Sequence, residues 1–451
     1  MGKYFGTDGI RGIANGTLDP QLAFSAGRAA AAALRAGGCR RPRVLICKDT
    51  RVSSDMLESA LTAGLCSAGA DVSPLGVLPT PAAAYLTRML GADMGIVVSA
   101  SHNPFEHNGI KMFNTLGYKL SDTLEDIIED IIDRPEKAGI ATRGDIGRVI
   151  GDCGEGARMY TDYLATLAGD WPLGLRVIVD CSNGAATFTA QRLFGSLRAD
   201  VTFMANKPDG LNINSGCGST DMRALCGAVR SGDFDVGFAF DGDADRCLAV
   251  DEDGQLIDGD MILAICAYAM KDDGRLKNSA VVGTVMTNSG VIEHLKRRNI
   301  RCYSADVGDR NVLDTMRANG CVLGGESSGH TIFLDDATTG DGQLTALRFL
   351  NVMASKRARA SELRREAPIY PLVLINVEAD GSNDAKTAIM SDPSLIEAIK
   401  EEELKLCGGG RILVRPSGTE PLIRVTVEAK DGHLADDIAN RLAHVIRARP
   451  N

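Results

Sequence analysis

Val236-Gly237-Phe238-Ala239-Phe240-Asp241-Gly242-Asp243-Ala244-Asp245-Arg246-Cys247-Leu248-Ala249-Val250 is a pair of apolar runs separated by three carboxylates, two tiny spacers and an arginine. The flanks read as strands, because short apolar runs bounded by turn-forming residues pack as buried sheet. Small spacers let the intervening backbone curl until three carboxylate oxygens converge. Without a cation those like charges would repel and push one another's pKa upward. A set of hard, anionic oxygens suits Mg²⁺, which completes its shell with water or substrate phosphate. A solvated acidic turn is the plain alternative. A calcium loop of the EF-hand type is another, and it requires Gly at the sixth position and Glu at the twelfth. Glu252 fits the twelfth, but Arg246 occupies the sixth and the flanks are not helical in pattern. What remains is a strand–loop–strand metal site, and a divalent ion beside phosphate points to phosphoryl chemistry.

Outward from this loop, strand-like and helix-like segments alternate. Val44 to Cys47 reads as a buried strand and Met56 to Ala68 as a helix. The strand Met94 to Ser99 runs into the turn residues Ser101-His102-Asn103-Pro104. A second cycle starts at Arg176 to Asp180, with Ser182-Asn183-Gly184 after it; a third runs through Val281 to Met286 and the Val291 to Arg298 helix. Such alternation marks α/β layers with largely parallel strands, in which ligands gather at the strands' carboxyl ends. After Pro368 the order becomes strand (Leu372 to Val377), helix (Leu395 to Leu406), two strands around Arg415 to Pro421, and helix (Leu434 to Arg447). The expected architecture is α/β: three similar α/β domains with mixed, largely parallel sheets, then a C-terminal α+β domain. Polar stretches place the domains at residues 1–153, 154–254, 255–367 and 368–451.

A chain of 451 residues exceeds one hydrophobic core, and length alone suggests about three domains. The net charge of −10, with no basic tract, argues against nucleic acid and anionic membranes as partners. Anionic substrates would therefore need local clusters of Arg and Lys. The 12 cysteines are scattered without a C-x-x-C pair, as in reduced cytoplasmic proteins. The first residues carry no charged-then-apolar signal segment, and the runs Ala29 to Leu34 and Met261 to Met270 are too short for a bilayer. A cytoplasmic protein is expected.

Three further loops carry chemistry. Ser101 follows a strand but lacks the G-x-S-x-G of a serine hydrolase. A strand-end serine beside metal-binding carboxylates could carry a phosphoryl group, adding about −1.5 to −2 charge. Cationic neighbours are then required, and Lys111, Arg246 and Arg11 are candidates, with His102 adjacent. Ser99 would point to the same side as Ser101 on an extended chain, so either could serve. In Gly325-Glu326-Ser327-Ser328-Gly329-His330, Glu326 and Ser328 could hold sugar hydroxyls and His330 could move a proton. In Arg415-Pro416-Ser417-Gly418-Thr419-Glu420-Pro421, prolines stiffen a turn rich in hydroxyl and N–H donors. Arg415, Ser417, Gly418, Thr419 and Arg424 form a candidate phosphate cradle.

In this order (serine loop, metal loop, sugar loop, phosphate loop) the chain resembles the α-D-phosphohexomutase superfamily over essentially its whole length. Phe5-Gly6-Thr7-Asp8-Gly9-Ile10-Arg11-Gly12, Val307-Gly308-Asp309-Arg310 and Thr338-Thr339-Gly340-Asp341-Gly342 resemble its amino-sugar branch. The resemblance implies four domains around a central cleft, a covalent phosphate on Ser101, and one Mg²⁺ held by Asp241, Asp243, Asp245 and that phosphate. It implies that glucosamine 6-phosphate becomes glucosamine 1-phosphate through glucosamine 1,6-bisphosphate, feeding UDP-N-acetylglucosamine synthesis. Lys111 and Arg246 would neutralise charge, and Arg11 and His330 are candidates for proton transfer. The partner would be a small sugar phosphate, with neither nucleic acid nor membrane, and the chain is a candidate homodimer. Ser327 stands where the amino-sugar branch usually has Gln and the phosphomannomutase/phosphoglucomutase branch Met, and Asn311 where Tyr often stands. A neutral-hexose mutase, a non-catalytic sugar-phosphate-binding regulator and a phosphatase are the rivals.

Overall fold

The apolar runs become the strands of four sheets in a computed structural model that describes residues 2–151, 154–171, 174–197, 199–379, 383–417 and 421–448. The chain divides into two compact units. One holds Met1–Val285 and Tyr303–Arg364, the other Met286–Cys302 and Arg365–Asn451.

In the first unit, strands β1 (Phe5–Gly6), β2 (Gly9–Ile13), β3 (Arg43–Lys48), β4 (Asp71–Val77), β5 (Met94–Val98) and β6 (His107–Asn114) form a sheet in the order β1-β2-β6-β5-β3-β4. Helices Ser54–Ser67 and Thr80–Met89 make the crossovers, so β3 runs parallel to β4 and β5. From β5 the chain turns directly back into antiparallel β6, and the Ser101 loop is that turn. Val44, Ile46, Met94, Ile96 and Val98 are buried here, as the apolar centres of strands covered on both faces must be.

The second sheet holds β7 (Arg176–Asp180), β8 (Asp200–Met204), β9 (Val236–Phe240), β10 (Cys247–Asp251) and β11 (Leu256–Ile257), ordered β11-β10-β9-β7-β8. β7 lies parallel to β8 and β9, while β9 and β10 pair antiparallel with Phe240 opposite Cys247. Asp241 to Arg246 is therefore a six-residue hairpin connection, rooted in fully buried Phe238 and Phe240. Phe238 meets Phe349 edge to face at 5.9 Å. The third sheet has β12 (Ala280–Thr284), β13 (Arg301–Ala305), β14 (Leu323–Gly325) and β15 (Thr331–Phe333), ordered β13-β12-β14-β15. β14 and β15 form a hairpin with Gly325 opposite Thr331, so Glu326 to His330 is again a turn between paired strands. The sheets are mixed: β3 with β4 and β5, β7 with β8 and β9, and β12 with β14 run parallel, while the pairs closed by the Ser101, Asp241–Arg246 and Glu326–His330 loops are antiparallel.

The second unit has an antiparallel sheet of β16 (Leu372–Glu378), β17 (Gly410–Pro416) and β18 (Leu422–Ala429), ordered β16-β18-β17. Ile423, Val425 and Val427 alternate inward along β18, where they share a core with Leu395 and Leu406 of one helix and Ile438 and Leu442 of another. Among the described residues, no helix is long and apolar enough to cross a membrane.

Candidate active site

Ser101 leaves β5 in the left-handed region, at φ 52°, which costs a non-glycine residue roughly 1–2 kcal/mol. A buried polar network holds it there. The Ser99 hydroxyl donates to Asp49 (2.6 Å) and accepts the Ser101 N–H (3.0 Å). Asp49 also binds the Arg51 guanidinium at 2.8 Å, with neither side chain exposed. Arg51 donates in turn to the carbonyls of Ser101 (2.9 Å) and Asn103 (2.8 Å), and Asn214 donates to the same two at 2.9 and 3.0 Å. Ser99 is thus a support for the turn, and the Ser101 hydroxyl is the one that donates to Asp241 Oδ2, at 2.5 Å.

Asp241, Asp243 and Asp245 each offer an oxygen within 4.8 Å of the others, and all three are buried. Gly242 makes this approach possible: a Cβ there would lie 2.5 Å from the Ser101 carbonyl oxygen. Asp243 Oδ2 accepts from Thr80 Oγ1 (2.6 Å) and Lys111 Nζ (2.8 Å), and the Arg246 N–H donates to Asp241 Oδ1 at 3.2 Å. Asp243 Oδ1 and Asp245 Oδ1 are buried without a hydrogen-bond partner. Burial, and then the charges of Asp245 and Asp243, push the Asp241 carboxyl well above its ordinary range. Unpartnered buried oxygens and mutual repulsion are what a hard divalent cation would relieve, so the residues fit Mg²⁺. Glu252, the twelfth position of the calcium-loop pattern, instead accepts from the Ser361 N–H (3.0 Å) and hydroxyl (2.6 Å).

Lys111 is fully buried, with Nζ 2.8 Å from Asp243, 3.0 Å from Asp8 and 3.5 Å from Asp245. Burial favours its neutral form, but those carboxylates outweigh burial and raise its pKa well above the ordinary value. Asp8 shows the converse. Burial favours its neutral form, yet Lys111, Lys119 and Arg11 hold the carboxyl well below its usual range. A cavity of about 370 Å³ opens beside these groups, lined by Asp8, Arg11, His102, Asp245, Arg246, Asp309, Glu326 and His330. Glu326 accepts the Gly308 N–H at 2.9 Å. His330 Nε2 accepts the Gly340 N–H at 3.1 Å and its Nδ1 lies 3.7 Å from Asp245. Burial lowers the His330 pKa, but Asp245 more than compensates and the net shift is upward. His102 goes the other way: burial, then Arg246 and Arg11, push it down to about 4, leaving a neutral ring 3.4 Å from Ser101 Oγ. Ser328 is half-buried, and Ser327, the departure from the family pattern, is exposed and uses its carbonyl to accept from Gly259.

In the second unit, Arg415 and Arg424 are cross-strand neighbours on β17 and β18. The Ser417 N–H donates to Leu422 O at 2.8 Å and Lys386 Nζ to the Ser417 carbonyl at 2.8 Å. Gly418 and Thr419 lie outside the described residues. The sequence alone gives no role to Asp49, Arg51, Thr80, Lys119 or Asn214, and Asp8 and Asp309 enter only within the family-like stretches. The signal for the first two was available: Asp49-Thr50-Arg51 directly follows β3, at the carboxyl end of a parallel strand.

Four segments of the chain match the domains of one sugar-phosphate mutase scaffold. Residues 2–139, 158–254 and 258–370 match alpha/beta/alpha domains I, II and III of phosphoglucomutase/phosphomannomutase, and 374–445 its C-terminal domain. The chain belongs to the phosphoglucomutase/phosphomannomutase family. Among its relatives is the phosphoglucosamine mutase of Alkaliphilus oremlandii, 48% identical over 452 residues covering 100% of both chains. A crystal structure of a phosphoglucomutase/phosphomannomutase family protein from Burkholderia thailandensis matches with TM-score 0.79 at 25% identity, covering 100% of this chain and 99% of that one. The Aspergillus fumigatus N-acetylphosphoglucosamine mutase, crystallised with GlcNAc-6P and magnesium, has the same fold, with TM-score 0.67 at 19% identity over 98% of this chain and 95% of the other.

Proposed function

We propose that the chain interconverts glucosamine 6-phosphate and glucosamine 1-phosphate through a phosphorylated Ser101. The observation that carries this is the 2.5 Å contact between the Ser101 hydroxyl and the carboxylate triplet, 140 residues further along the chain. Full-length relatives that bear the name phosphoglucosamine mutase support the amino sugar. In the forward direction the sugar O1 attacks phosphorus, the Ser101 Oγ–P bond breaks, and the O1 proton passes to a cavity base. His330 lines the cavity and is the candidate for that base, while Arg11, a cation paired with Asp8, would orient the hydroxyl and the proton's path. After the 1,6-bisphosphate turns over, Ser101 Oγ attacks the phosphate on O6, the O6–P bond breaks, and O6 takes up the proton that the base received from O1. Lys111 stays charged beside the triplet and Arg246 faces the same cavity, so both would offset the charge of the transferring group. One Mg²⁺, held by Asp241, Asp243, Asp245 and the serine phosphate, would add Lewis-acid charge stabilisation. Glu326 and Ser328 would hold sugar hydroxyls, while Arg415, Ser417, Gly418, Thr419 and Arg424 would hold the non-reacting phosphate. A cytoplasmic location and supply of UDP-N-acetylglucosamine synthesis belong to the same proposal.

Turnover of glucosamine 1-phosphate, glucose 1-phosphate and mannose 1-phosphate tests it. The amino sugar should have the highest kcat/KM, and clear preference for a neutral sugar would overturn the substrate assignment. Peptide mass spectrometry should find phosphate on Ser101, and Ser101→Ala should abolish turnover. Phosphate on Ser99, or stoichiometric release of inorganic phosphate, would rule against the mechanism.

A further inference from the structure

Five side chains form a ladder of alternating charge from the sugar-loop wall of the cavity to the carboxylate triplet. Asp309, the first residue of the helix Asp309–Asn319, places Oδ2 2.5 Å from Lys119 Nζ. Lys119 also binds Asp8 Oδ1, Asp8 Oδ2 binds Arg11 and lies 3.0 Å from Lys111, and Lys111 reaches Asp243 at 2.8 Å. Lys119 side-chain exposure is 14% and that of Lys111 is 2%, so solvent screens the ladder little. Its rungs come from separate elements: the β1–β2 turn, β6, the segment after β6, the β9–β10 hairpin, and the start of the helix that follows Gly308. Lys119 does not line the reaction cavity. It faces a neighbouring cavity of about 370 Å³, with Asp309 and His330 on the wall common to both.

We infer that Lys119 is a positioning residue for phosphoryl transfer, acting through Asp8 and Asp309 at once. The inference rests on the phosphoryl-transfer reading of the Ser101 site. If its ammonium is removed, Asp8 and Asp309 lose the cation between them and must find others. Asp8 then leans on Lys111 and Arg11, drawing the first from Asp243 and the second from the cavity. Asp309 releases the turn whose Gly308 N–H holds Glu326. Each movement is small. Transfer between aligned oxygens is steep in position, and about 1 Å of misplacement costs on the order of 10²-fold in rate.

The test uses the full-length phosphorylated enzyme and whichever hexose 1-phosphate the wild type turns over best, with rates expressed per phosphorylated Ser101. Lys119→Met, which keeps the apolar stem, should lower kcat about 10- to 100-fold with KM within about threefold. In a cycle with Asp309→Asn, the second substitution should cost little once the first is present, because the two act as one unit. Lys119→Arg should recover most of the lost kcat. Unchanged kcat per phosphorylated site, even with a lowered melting temperature, would make Lys119 merely structural; fully additive losses would also overturn the inference. A wild type that prefers a neutral sugar would overturn the glucosamine assignment while leaving the Lys119 comparison intact.

Discussion

Arg51 and Asp49 are an ion pair with no exposed side-chain surface, and that burial makes their two halves unequal to lose. Removing one partner strands the other charge away from water, which costs about 3–5 kcal/mol, whereas replacing both is often close to neutral. Arg51→Met should therefore lower the unfolding midpoint sharply. The double variant Asp49→Asn with Arg51→Met should recover much of that stability. Activity should not follow, because Arg51 also grips the carbonyls of Ser101 and Asn103 and the Ser101 turn stays unanchored. Thermal denaturation and turnover of both variants beside the wild type check this. If the double variant regains its activity along with its stability, the pair does not position Ser101.

At the scale of elements, the ends of strands do the work, and β7 shows how. Its last residue, Asp180, accepts the N–H groups of Ser182 (2.8 Å) and Gly218 (2.9 Å). The turn so fixed receives the metal hairpin, since the Ala185 N–H donates to the Gly242 carbonyl at 2.8 Å. Burial pushes the Asp180 carboxyl up to about 6, against 3.8 ordinarily. A pKa raised on folding contributes stability that is full below about pH 3.8 and is lost as pH rises through about 6. Asp180→Asn has no charge to acquire, so its stability relative to wild type should rise between pH 4 and pH 7, by on the order of 2–3 kcal/mol. Urea unfolding midpoints of both proteins at pH 5, 6, 7 and 8 measure this. A pH-independent difference between them would show that Asp180 ionises freely in the fold.

Across the whole molecule, shorter or less apolar strands such as β1, β2, β6 and β8 give no clear signal in the sequence. Periodicity and loop composition do place β3, β5, β7, β9, β10 and β12 within one or two residues and mark the loops after them. Arg176 to Asp180 and the acidic hairpin are examples, because apolar runs and turn residues are local signals. Partnerships between distant residues were not readable in this way. Arg51 sits among polar residues in a loop and looks like a solvated charge, yet packing buries it completely. Lys119 and Asp309 are 190 positions apart in sequence and meet only because their elements do. The carboxylate triplet joins both kinds of information: its spacing is local, and its neighbours Ser101, Thr80, Lys111 and His330 arrive from across the first unit. A cation bound there should therefore stabilise that unit as a whole. At 100 times its dissociation constant, Mg²⁺ contributes about 2.7 kcal/mol, visible as a melting temperature that rises with Mg²⁺ and falls with chelator. Asp241→Asn sharpens the sign. Its amide oxygen can still accept from Ser101, while the charge that Asp243 and Asp245 oppose is gone. In chelator the variant should melt no lower than wild type, and Mg²⁺ should give it little or none of the wild-type rise. A variant that loses stability in chelator, yet gains as much from Mg²⁺ as the wild type, would mean that the triplet is held by its protein partners and not by a metal.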